Sequence, residues 1–282
     1  MNIAICLAGF LRKNEITSSN LFRNVIDFNR FNGHTVDVFV STYNLSDSVN
    51  TFSHKQLNNT IIPTQVTEAD IKTKYSPKSL TIEDYDRVKH LFNIKKFLPN
   101  IDLSTIHPDI HDGNGSLFGL SMHYKRESVN NLRKQYEKEN GIKYDLIMLC
   151  RPDILFLENI DFSKFDPNLV YAREIYYDYF LVSSPTNMDI ICSTYSNSGI
   201  VANKHTNNPI QGFGIYSPEY FLEWHLLDSG ITLPLRASIP ESSCLLYPRK
   251  NFFSTLHFIL NKFNTLHQYN NILFENGITD ET

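Results

Sequence analysis

Three charged residues are spaced so that they could do chemistry. Arg151 and Asp153 flank Pro152 at the end of the apolar run Leu146-Ile147-Met148-Leu149-Cys150, and Arg12 follows Ala8-Gly9-Phe10-Leu11 after the run Ile3 to Leu7. A carboxylate such as Asp153 can hold a divalent cation, Mn²⁺ or Mg²⁺, which in turn holds a diphosphate. A guanidinium such as Arg12 or Arg151 can take phosphate charge directly through its planar fork of donors. Ala8 and Gly9 leave room for a nucleotide to approach the backbone closely. Thr42 and Tyr43 end another apolar run, where a base could hydrogen-bond or stack. Each feature also has a plainer reading: an Arg–Asp pair closing a strand, a surface arginine after a tight turn, an ordinary strand end.

Other polar residues carry weaker signals. The loop Asp112-Gly113-Asn114-Gly115-Ser116 precedes a helical pattern and could present amides to phosphate, but it has no phosphate-loop spacing and reads as a simple loop. Lys125 and Arg126 on that helix could reach phosphates, with exposed helix charges as the plainer reading. His123, His205 and His225 could each add a metal ligand, with structural roles as the alternative. Trp224, beside His225, could stack on a sugar or pack in the core.

The elements that must position these groups follow from periodicity. Ile3 to Leu7 is a continuous apolar run of the kind buried on both faces of a parallel sheet; Val36 to Val40, interrupted only by Asp37, reads as a second strand, and Tyr144 to Cys150 as a central buried strand. Leu21, Phe22, Val25, Ile26 and Phe28 recur at helical spacing between the first two runs, with Ser18 or Ser19 as the expected cap and Asn32-Gly33 as the stop. That is a βαβ unit, whose crossover is right-handed. Residues 45–115 are less periodic and read as loops and short elements over the sheet edge, with a strand at Thr60 to Thr67 and a short helix near Asp84 to Phe97. A long helix is expected from Ser116 to Asn140-Gly141. Tyr179 to Ser183 and Phe213 to Tyr216 read as strands, each leading into a Ser-Pro helix start, at Ser184-Pro185 and Ser217-Pro218. Pro152 is expected to end the strand before it.

Composition bounds the rest. The 282 residues carry 26 basic and 30 acidic side chains, a net charge of −4, and no basic stripe, so nucleic acid is not an expected partner. No run of about 18 apolar residues exists, so no spanning helix is expected, and Met1 to Leu11 reads as a core strand rather than a signal peptide. Cys6, Cys150, Cys192 and Cys244 show no CxxC spacing and read as buried thiols of a reducing, cytoplasmic compartment. The apolar segment Phe252 to Phe263 reads as a packed helix of a C-terminal extension, or as a peripheral membrane contact.

Four segments together resemble GT-A glycosyltransferases of the kind found in bacteria and large DNA viruses: Ile3 to Arg12, Val36 to Tyr43, Tyr144 to Phe156, and Tyr177 to Asp189. The resemblance implies an α/β fold with a Rossmann-like, mostly parallel central sheet flanked by helices and a helical C-terminal extension. It implies a transferase domain over 1–245, with a nucleotide-binding half (1–115) and a metal and acceptor half (116–245), then an extension over 246–282. It implies a nucleotide-sugar donor and a glycan hydroxyl acceptor. Asp153 falls at the metal-binding position of the Asp-any-Asp motif of that group, and Arg151 replaces its first carboxylate. Asp178, in the segment that resembles the acceptor side, becomes the candidate base of an inverting transfer, with Glu174 second. Two other expectations remain: a non-catalytic nucleotide- or glycan-binding domain with a degenerate site, and a nucleotidyltransferase.

Overall fold

The computed structural model describes residues 1–12, 14–46, 63–102, 104, 118–174, 177–205, 218–231, 236–238 and 244–246. At residues 118, 173, 174, 177–179, 218, 236–238 and 244–246 it describes the backbone alone. These residues form an α/β unit around one mixed, mostly parallel sheet. Its strands are β1 (Asn2–Ala8), β2 (Thr35–Tyr43), β3 (Ser79–Glu83), β4 (Leu146–Cys150), β6 (Val170–Glu174), β7 (Tyr177–Ser183) and β8 (Arg236–Ser238), in the order β3-β2-β1-β4-β7-β6-β8. Every pairing is parallel except the two that β7 makes, with β4 and β6. The short β5 (Ile154–Phe156) pairs with β9 (Cys244–Leu246) in a separate two-stranded sheet.

Alternation along the central strands explains why both faces are covered. On β1, Ile3, Ile5 and Leu7 join one core with Val36, Val38, Val40, Leu146 and Met148. Ala4, Cys6 and Ala8 point the other way, with Phe39, Ile147 and Leu149. The first face is covered by α1 (Asn14–Leu21), which runs on through a π-helical turn at Phe22–Asp27 and a last turn at Phe28–Phe31. Further along the chain, α2 (Glu68–Tyr75) adds Ile71 and Tyr75 to this core. The second face is covered by α3 (Phe118–Asn140), α4 (Pro185–Cys192) and α6 (Pro218–Asp228), with α5 (Ser198–His205) packed beside α6. The small residues Ala4, Cys6 and Ala8 let α3 lie close to β1. Cys6, Cys150 and Cys192 are buried thiols outside any disulfide, and burial pushes the Cys6 thiol up to about 12. No helix among the described residues is long and apolar enough to cross a membrane.

Several expectations meet their counterparts. Strands over 3–7 and 36–40 form, the strand expected over 144–150 forms from Leu146 onward, the long helix stops at Gly141 (φ +63°), and α4 starts at Pro185 with the Ser184 hydroxyl accepting from the amide of Asn187. The ladder does break at Pro152, between β4 and β5. Other expectations are corrected. The first helix begins at Asn14, a turn before Ser18 and Ser19, whose hydroxyls donate to the Glu15 carbonyl inside the helix. The region read as loops and short elements over the sheet edge holds two elements not placed from sequence: α2, started by a capping box between Thr67 and Asp70, and β3, which extends the sheet parallel to β2. In the predicted strand at Thr60 to Thr67, residues 60–62 are outside the described residues, and Gln65 makes only an isolated bridge to Leu45. The predicted strand at 213–216, the loop at 112–116 and the C-terminal segment at 252–263 also lie outside them.

The π turn bears on the site. Asn20, Asn24 and Asn29 all reach the chain that leaves β5. Asn20 takes the amide of Phe156 at 2.7 Å and donates to its carbonyl at 3.1 Å, Asn24 donates to the same carbonyl at 2.9 Å, and Asn29 holds Ile160 and Phe162. At about 100° per residue, nine positions along an ideal α-helix would put Asn29 opposite Asn20. The wider turn between them brings both to one side. Asn20→Ala leaves the buried Phe156 amide without its acceptor, and is expected to lower stability by about 1–3 kcal/mol in urea denaturation. A change within about 0.5 kcal/mol would mean that this brace carries no weight.

Candidate functional site

The register of the central strands brings the predicted charges together. Leu7 of β1 pairs with Cys150 of β4, so the chain leaves both strands side by side, toward Gly9 on one and Arg151 on the other. Ligand sites of open α/β sheets lie at this edge, outside the carboxyl ends of the strands. Gly9 turns with φ +112°, a conformation that favours glycine, and its amide donates to the Ser41 carbonyl at 3.1 Å. A side-chain carbon at Gly9 would meet no atom within 4 Å, so the space above it is open among the described residues.

Arg12 and Arg151 converge on Asp153. Arg151 donates from Nε to Oδ1 at 2.9 Å and from Nη2 to Oδ2 at 2.7 Å, a two-pronged, charge-assisted grip. Arg12 places Nη1 3.5 Å from Oδ2, and its guanidinium lies 5.2 Å from the centre of the Phe10 ring. The exposures are graded. The Asp153 side chain is 6% exposed, Arg12 14% and Arg151 21%, so the cations form the outer layer and the carboxylate the inner one. On the far side, the asparagine brace on β5 fixes the chain just after Asp153.

The described side chains around Asp153 do not fit a divalent cation. Both Asp153 oxygens already accept from Arg151, and among the described residues no three of the histidine, cysteine, aspartate and glutamate side chains are grouped to hold a metal. The histidines considered from sequence have other duties. His205 stacks on Trp224 with ring centres 4.2 Å apart and meets Asp228 at 3.0 Å, where Lys204 also binds. His225 lies 2.8 Å from the Ile190 carbonyl and 3.1 Å from the Ser193 hydroxyl, and burial lowers its pKa. His123 is buried in α3. Trp224 packs in the cluster around Phe221 and Leu120.

Thr42 and Tyr43 are corrected. Both side chains are buried, and the Tyr43 ring, 1% exposed, is enclosed by Phe10, Tyr85 and Phe92 while its hydroxyl donates to the Ser121 carbonyl at 3.0 Å. They build the wall behind the Gly9 turn and offer no face to a base. Ala8 is likewise buried, contributing its small size to the packing beneath the turn. Lys125 and Arg126, read as exposed, are buried. Lys125 binds Glu83 at 2.6 Å and lies over the Tyr43 ring at 4.3 Å, and Tyr124 donates to the same carboxylate at 2.8 Å. Sequence reasoning passed over this cluster because nothing in a lone lysine on a mixed helix shows which face it occupies.

Asp178 and Glu174 are placed by backbone alone. Phe180 of β7 pairs with Cys150, and because β7 runs backwards its first residues extend past the carboxyl end of β4. Asp178, two residues before Phe180, therefore belongs to the same edge as Arg151 and Asp153. Glu174 ends β6, paired with Tyr177. The side chains of both lie outside the described residues. No protein-family model matches the chain and no curated protein matches it, so what this edge does is read from its own geometry.

Proposed function

We propose that the chain is a GT-A-type glycosyltransferase, moving a hexosyl or deoxyhexosyl group from a nucleotide sugar to a glycan hydroxyl. The observation that carries this reading is the convergence of Arg12 and Arg151 on buried Asp153 at the carboxyl ends of two adjacent parallel strands, beneath the open Gly9 turn. The reaction breaks the bond between the sugar carbon and the donor's diphosphate, so negative charge develops on the leaving group. Fixed cations at that position stabilise the transition state. The acceptor hydroxyl attacks the sugar carbon and must lose its proton. Asp178, carried to this edge by the reversed β7, is the proposed base of an inverting transfer. No step is assigned to a metal.

A donor screen tests this directly. Incubating the full chain with UDP-, GDP-, dTDP- and CMP-linked sugars is expected to release the free nucleotide from one of them, and faster with a glycan acceptor. Absence of release from every donor, with or without Mn²⁺, would count against a transferase. The second reading, a non-catalytic nucleotide-binding domain, is favoured by the full engagement of Asp153 with Arg151. It predicts nucleotide binding without turnover in the same screen.

A further inference from the structure

We infer that the Arg12–Arg151 pair takes the place of a divalent cation in this site, and that Asp153 is the positioning residue for both guanidiniums rather than a metal ligand. The inference rests on the reading above that the site binds a nucleoside diphosphate, and it adds how that charge is met. Three observations carry it. The carboxylate spends one oxygen on Arg151 Nε and the other on Nη2, and Arg12 stands 3.5 Å from the second. The carboxylate lies inside its two cations. An anion arriving over Gly9 therefore meets guanidinium first. A dication seeking Asp153 would have to displace both hydrogen bonds while being repelled by two positive groups. Pro152 sits between Arg151 and Asp153, and its fixed φ limits how far the pair can spread to admit an ion. Guanidinium stays charged at all working pH values and presents parallel donors to a phosphate, so the pair needs no exchangeable ion to hold its charge.

The test is calorimetric titration of the wild-type full chain with UDP, GDP, dTDP and CMP, first in EDTA and then in millimolar Mn²⁺ or Mg²⁺. The expected result is that one nucleotide binds in EDTA and that metal changes its Kd by less than about threefold. Arg12→Gln is expected to weaken that binding by about tenfold or more, equally in both buffers. Asp153→Asn, which keeps one acceptor for Arg151, should retain more affinity than Asp153→Ala. Binding that appears only with metal would overturn the arginine inference and leave the transferase reading standing. No nucleotide binding in either buffer would overturn both. Metal-free binding that Arg12→Gln leaves unchanged, or that Asp153→Ala and Asp153→Asn weaken alike, would also sink the inference.

Discussion

Replacing Arg151 by methionine is expected to lower folding stability by about 3 kcal/mol, and adding Asp153→Asn to that variant is expected to restore most of it. Removing one partner of a buried ion pair costs about 3–5 kcal/mol, chiefly because the remaining charge stays buried and uncompensated. Asp153 fits that description, with a side chain 6% exposed and both oxygens held by Arg151. Arg12, 3.5 Å away, still faces the orphaned carboxylate and places the effect at the lower end of the range. Methionine keeps much of the aliphatic stem, so lost packing contributes little. In the double variant the buried carboxylate charge is gone and Arg12, more exposed than Asp153, loses only its 3.5 Å contact, so a coupling of about 2 kcal/mol should emerge from the cycle in urea denaturation. A single-variant change within about 0.5 kcal/mol would show that the grip has no structural weight. Both variants should also lose nucleotide affinity, since each removes a prong of the proposed anion site.

The second large effect is a dependence on alkaline pH centred on Lys125. Its ammonium is fully buried, and loss of water pushes its pKa down from 10.5 to about 8, although Glu83 pulls it back upward. In the unfolded chain the same group keeps its proton to about pH 10.4. Between about pH 8 and 10.5 the unfolded state therefore binds more protons than the folded one, and this group's contribution to stability rises with pH. Below pH 8 the full penalty for burying the charge applies, and a shift of this size corresponds to about 3 kcal/mol. Other groups run the opposite way. Burial raises the pKa of Tyr43, Tyr75, Tyr124 and Tyr144 and of Cys6 and Cys192, so the native state increasingly loses ground as these titrate in the unfolded chain. Lys125→Met retains those groups and lacks the lysine. The stability of the wild type relative to the variant is thus expected to climb by about 3 kcal/mol from pH 7.5 to 10.5. A flat difference across that window would mean that the ammonium is not desolvated.

The parts of this protein legible in the sequence are those set by local pattern. Continuous apolar runs of five residues specify β1 and β4, as expected of strands buried on both faces, and β2 is legible from Val36, Val38, Phe39 and Val40 around the single acid Asp37. Ser184-Pro185 and Gly141 mark helix ends through backbone chemistry that acts within a turn. Arg12, Arg151 and Asp153 stood out because they follow such strands, and carboxyl ends of parallel strands are where sites form. The brace from Asn20, Asn24 and Asn29 left only a faint trace, polar residues on an otherwise apolar helical face.

What the linear order could not decide is who faces whom. That Arg151 closes onto Asp153, leaving the arginines outermost, depends on the turn at Pro152 and on the pairing of β1 with β4 across some 140 positions. The burial of Tyr43 and Lys125 depends on where α3 settles over β2 and β3. The reversal of β7, which delivers Asp178 to the edge that carries Arg151 and Asp153, is a choice between parallel and antiparallel pairing that Tyr179 to Ser183 would satisfy either way. Strand identity is a matter of near neighbours and its signal survives in sequence. Partner, direction and depth are settled by contacts between distant segments, whose free energies exist only once the sheet has assembled.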